Sequence, residues 1–170
     1  MAEYFLDTEF IENGGGEPLH LLSIALVRED GTSYYAEDAE TDQALANDWV
    51  RENVIPHLQG GAARKSRVEI RADLIAFVGN WRASLAPTKP RFWGYFADYD
   101  WVLLCGLMGR MVDLPEGFPF YCWDLKQYAE ERGISKAQFP EQAAGSEHHA
   151  LADARWNLAL WRFLRTQTLK

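Results

Sequence analysis

The stretch Glu3-Tyr4-Phe5-Leu6-Asp7-Thr8-Glu9-Phe10-Ile11 constrains the fold of this chain more than any other. It is a short apolar run and reads as a β-strand. Alternate side chains leave a strand on the same face, so Asp7 and Glu9 are neighbours. Two like charges held together cost free energy unless a cation neutralises them or one takes up a proton. The fold must therefore bring this strand to a place where the pair is compensated, and hard divalent cations such as Mg²⁺ prefer oxygen ligands of this kind. A solvated edge strand with Leu6, Thr8 and Phe10 buried would satisfy the same alternation.

The rest of the chain supplies the partners for such a strand. Asn13-Gly14-Gly15-Gly16-Glu17-Pro18 is a turn, residues 19–27 read as a central strand, Asp30-Gly31 is a hairpin turn, and residues 32–36 form a third strand. Short connections make these three strands antiparallel. The period then becomes helical at Leu45, Ala46, Trp49, Val50 and Val54, and Pro56 ends that helix. Residues 59–67 read as a loop. Ser66 and Glu69 form a capping-box pattern ahead of a helix with Leu74, Ile75, Val78, Trp81 and Leu85 on one face. Further strands are expected at 91–96 and 118–123, and further helices at 99–108, 124–132 and 149–166. The whole chain, 1–170, reads as a single α/β domain: a mixed sheet of three antiparallel strands followed by alternating helices and strands, flanked by helices.

At 170 residues the chain can bury a substantial core. No apolar run is long enough for a membrane span, so no membrane partner is expected. The N-terminus lacks the basic region of a signal peptide. Cys105 and Cys122 lack CxxC spacing and read as buried free thiols in a reducing cytoplasm. The net charge of −8 argues against a broad basic patch and against non-specific binding to long duplex. It weighs less if several carboxylates hold metal ions.

Two further acidic positions stand out. Asp100 lies where the strand Trp93-Gly94-Tyr95-Phe96 gives way to a helix, with Asp98 as a competing helix cap. Asp153 follows His148-His149-Ala150-Leu151-Ala152. Carboxylates converging from separate elements can hold paired ions about 3.5–4 Å apart, which clamp both oxygens of an in-line displacement at phosphorus. A histidine can deprotonate the attacking water. His149 shares a helical face with Asp153; His148 can serve only if it precedes the helix.

This ordered set resembles the DEDDh group of 3′-5′ exonucleases, which have an RNase H-like fold. More narrowly, residues 7–12, 97–100 and 148–154 resemble the bacterial exoribonuclease AS family. The resemblance implies that Asp7, Glu9, Asp100 and Asp153 bind two divalent metal ions, Mg²⁺ or Mn²⁺, and that His148 is the general base. It implies hydrolysis of RNA from its 3′ end to nucleoside 5′-monophosphates such as AMP, a preference for adenylate-containing ends, and a homodimer. Phe10, Thr8 and Tyr99 are the expected substrate contacts, since aromatic side chains hold single-stranded ends by stacking. Trp93, Tyr95 and Phe96 cluster nearby, and Arg64, Lys65, Arg67 and Arg71 are candidates for upstream phosphates.

Overall fold

The computed structural model describes residues 2–79, 89–143, 145 and 147–167. Trp81 and Leu85 of the expected helical face lie outside them. Six strands form one sheet: β1 (Ala2–Ile11), β2 (His20–Arg28), β3 (Ser33–Asp38), β4 (Arg64–Lys65), β5 (Pro90–Gly94) and β6 (Trp123–Asp124). Their spatial order is β4-β3-β2-β1-β5-β6. β1 to β3 are antiparallel neighbours, whereas β5 runs parallel to β1. The helices are α1 (Asp48–Asn53), α2 (Arg67–Val78), α3 (Asp98–Met108), α4 (Leu125–Glu130) and α5 (Ala150–Thr166). This is the helix-flanked mixed sheet of an RNase H-like fold.

β1 is central, not an edge strand, and its two faces are sorted by parity. Tyr4 and Leu6 pack with Ile24 and Leu26 against α2 and α3. Phe5 packs with Ala25 and Val27 against α4 and α5. Asp7 and Glu9 continue the second row, which directs them towards α5. A bulge in the β1–β2 register after Glu9, opposite Leu22, interrupts the ladder where the apolar row ends.

Several expectations change in detail. The segment 118–123 is not a strand; only Trp123 and Asp124 pair, beside β5. Arg64 and Lys65, expected in a loop, pair with Glu37 and Asp38 as β4. On the expected face of α1, Ala46, Val50 and Val54 are buried, but Leu45 and Trp49 stand largely exposed. Both cysteines are free and only half-buried, and burial raises their pKa values, which keeps the thiols protonated. The capping box holds: Ser66 N–H donates to Glu69 Oε2 at 2.8 Å and Glu69 N–H to Ser66 Oγ at 3.3 Å.

The junction from β5 to α3 positions the site. A Cβ added at Gly94 would lie 2.8 Å from Ala97 Cβ, so only glycine permits this close a turn. Phe96 within it adopts a positive φ of 56°, and Asp124 Oδ2 accepts from Ala97 N–H at 2.8 Å. Gly94→Ala should lower the unfolding free energy by about 1–3 kcal/mol through overpacking. Chemical denaturation checks this, and unchanged stability would contradict the steric account.

Candidate active site

β5 ends opposite the early part of β1, the last paired residues being Phe5 and Trp93. Beyond that point the β5-facing edge of β1 has no strand to pair with, and side chains satisfy it. Asn157 of α5, fully buried, donates its amide to Leu6 C=O at 3.0 Å. Thr8 donates both N–H, at 2.9 Å, and Oγ1–H, at 2.5 Å, to Asp100 Oδ1. Helices from opposite faces of the sheet are thus tied to one crevice at the carboxyl end of two parallel strands, a common position for ligand sites in such sheets.

Asp7, Glu9 and Asp153 present carboxylate oxygens that all lie within 4.8 Å of one another. Asp100 stands outside that group, its Oδ1 held by Thr8, but lines the same hollow of about 260 Å³ with Phe10, Phe96, Tyr99 and His148. A second hollow of about 520 Å³ reaches Asp7, His148 and Asp153 from the side of Tyr95, Gln142 and Trp156. A further hollow of about 670 Å³, near Arg91 and Phe118, contains none of the four carboxylates.

The electrostatics follow from burial and crowding. Asp7 is raised well above its ordinary pKa by burial, and then by the charges of Asp100, Asp153 and Glu9. Glu9 rises to about 8, by burial and then by Asp153 and Asp100. Asp100 rises to about 7 through burial, against the lowering effect of the Thr8 hydrogen bonds. Burial also raises Asp153, opposed by hydrogen bonds from Gln142 and from the His148 backbone. Among the described residues, none of the ion pairs formed by lysine or arginine involves these four groups. A tight set of oxygen donors with uncompensated charge fits a hard divalent cation.

Asp98, the competing cap, is exposed; Ala97 occupies the N-cap of α3 without a side-chain bond. Asp124 caps α4, accepting from Gln127 N–H at 2.9 Å.

The histidines separate clearly. His149 is the N-cap of α5: its Nδ1 accepts from Leu151 N–H at 3.2 Å, and its Nε2 meets the Gln59 amide at 3.0 Å. Its ring stacks on Tyr35. His148 precedes the helix in the left-handed region, φ 63°, and its N–H donates to Asp153 Oδ2 at 3.1 Å. Among the described residues, neither of its ring nitrogens has a hydrogen-bond partner, and His148 lines both hollows.

The aromatic and basic candidates divide as well. The Phe10 and Tyr99 rings meet edge-on, centroids 5.6 Å apart, and Tyr99 is half exposed. Trp93 is a core residue, 2% exposed, donating to Glu3 at 2.7 Å. Lys65 pairs with Asp73, and Arg67 with Asp38. These basic side chains brace the β4 edge, three strands and roughly 14 Å from β1. Three residues beside the site were not expected there from the sequence: Gln142, Asn157 and Trp49. Only Asn157 carries a usable signal, one helical turn beyond Asp153 on the same face of α5.

Compared with known families, the sequence matches the 3′-5′ exoribonuclease Rv2179c-like domain over residues 2–165. The chain belongs to this family. Two proteins of Mycobacterium tuberculosis, 3′-5′ exoribonuclease Rv2179c of strain H37Rv and 3′-5′ exoribonuclease MT2234.1 of strain CDC 1551, are each 39% identical to it over 163 residues. The alignment covers 95% of this chain and 92% of each relative. Among the described residues of this Rv2179c-like domain, no helix is long and apolar enough to cross a membrane.

The raised carboxylates make stability depend on pH. Each favours the protonated native state, so its contribution is complete below the ordinary values of 3.8 and 4.5. It is lost as pH rises through about 7 for Asp100 and about 8 for Glu9. The metal-free domain should therefore melt at progressively lower temperature from pH 5 to pH 8.5. Saturating Mg²⁺ or Mn²⁺ should oppose that loss. The metal-induced rise in melting temperature should grow with pH across this window; a rise that is flat or shrinks would contradict the account.

Proposed function

We propose that this chain is a single-domain, metal-dependent 3′-5′ exoribonuclease of the DEDDh type, allied to the exoribonuclease AS family. The observation that carries the reading is the convergence of Asp7, Glu9 and Asp153 within 4.8 Å, beside a histidine whose ring nitrogens have no hydrogen-bond partner among the described residues. Family membership supports the choice of RNA as substrate.

In this reading Asp7, Glu9, Asp100 and Asp153 hold two divalent ions, Mg²⁺ or Mn²⁺. Ions held there would supply positive charge to offset the negative charge developing on the phosphoryl group and on the departing oxygen. His148 takes a proton from the attacking water, whose oxygen bonds to phosphorus as the bond to the 3′ oxygen breaks. The departing oxygen gains a proton. The products are a nucleoside 5′-monophosphate and a chain one nucleotide shorter with a 3′-hydroxyl. Phe10 and Tyr99 form an apolar wall where the terminal base stacks. Thr8 acts through Asp100, since its hydroxyl and N–H are both spent on that carboxylate.

The AS resemblance extends the reading to adenylate-containing 3′ ends and to a homodimer. The free thiols suit a reducing cytoplasm. Hydrolysis of a poly(A) oligomer, the matched DNA and a dinucleotide tests the substrate class. The reading expects AMP released fastest from the RNA oligomer. Preference for DNA, or for the dinucleotide, would overturn it.

A further inference from the structure

Among the described residues, hydrogen bonds hold His148 at its backbone but not at its ring. The bond from its N–H to Asp153 Oδ2 fixes the main chain in a left-handed conformation. That bond leaves the two side-chain torsions free. A general base works only if its ring nitrogen stays aimed at the proton it removes, and a third group normally orients it. Among the described residues no carboxylate or carbonyl does so here.

The ring instead meets Trp49 edge-on, with centroids 4.9 Å apart and planes at 82°, a favourable geometry for aromatic pairs. Trp49 stands on α1, which is anchored to the end of β1. Asn47 donates to Glu12 C=O at 3.0 Å and caps α1 through Val50 N–H. Val50 is buried with Ile11 and Leu22. Trp49 itself is 54% exposed and belongs to none of the buried clusters, so core packing does not account for it.

We infer that Trp49 is a positioning residue for His148, fixing by ring contact an imidazole that no hydrogen bond orients among the described residues. The inference rests on the exonuclease reading above. It predicts that Trp49→Leu lowers kcat about tenfold with KM changed less than about twofold, and that Trp49→Phe restores most of kcat. The melting temperature should not move. If Trp49 acts only through His148, adding Trp49→Leu to His148→Ala should cost nothing further.

Unchanged kcat in Trp49→Leu would overturn the inference. So would additive losses in the double variant, or a raised KM at constant kcat, which would make Trp49 a base-stacking contact. The parent protein in the same assay separates the two claims. An inactive parent overturns the exonuclease reading and this inference with it. An active parent beside an unaffected Trp49→Leu overturns only the role of Trp49.

Discussion

Asp7→Asn should leave the protein folded, raise its metal-free melting temperature at pH 8, and slow RNA turnover by roughly a thousandfold or more, about 4 kcal/mol of transition-state stabilisation. The substitution keeps shape and removes one charge. That charge lies among Asp100, Asp153 and Glu9, and burial as well as all three neighbours opposes its ionisation. Removing it relieves the metal-free protein of repulsion, hence the higher melting temperature. It also removes one of three carboxylates whose oxygens crowd within 4.8 Å, so divalent metal should bind more weakly and raise the melting temperature less. Stability and activity thus move in opposite directions. A variant that loses activity because it is unfolded, or one that keeps full turnover, would contradict this role.

The two adjacent histidines should respond in opposite ways. His148→Ala should lower kcat by about 10²–10⁴, the usual share of a general base, with little loss of stability. His149→Ala should lower stability by about 1 kcal/mol through loss of the helix cap and leave most of the turnover intact. The expectation follows from what each ring already does. His149 spends both nitrogens on Leu151 N–H and Gln59, whereas those of His148 have no partner among the described residues. Circular-dichroism melts and single-turnover kinetics on both variants check the pair; equal activity losses would contradict the division.

Much of this arrangement is legible along the chain, because apolar runs, turn residues and charges in apolar surroundings are local signals. The three antiparallel strands, the Ser66 capping box and the common face of Asp7 and Glu9 are of this kind. So is the stripe Leu151, Ala154, Leu158 and Trp161 at helical spacing on α5, of which the last three are buried and Leu151 is partly buried. What depends on distant contacts is not legible. β4 and β6 are two-residue pairings, too short to carry a period. Helical spacing puts Trp49 with Val50 and Val54, yet nothing covers it enough to bury it. The swing of Asp100 over Thr8 depends on the close approach of Gly94 and Ala97. The basic loop looks like a phosphate clamp until Asp38 and Asp73 are seen to occupy Arg67 and Lys65.

The most direct measurement follows a 5′-labelled RNA oligomer incubated with the purified protein and Mn²⁺, resolved by length over time. The predicted result is a ladder shortening one nucleotide at a time from the 3′ end, with 5′-mononucleotides released, and no shortening in excess EDTA or with Asp7→Asn. Internal cuts, shortening from the 5′ end, an intact oligomer, or undiminished hydrolysis in EDTA would contradict the account.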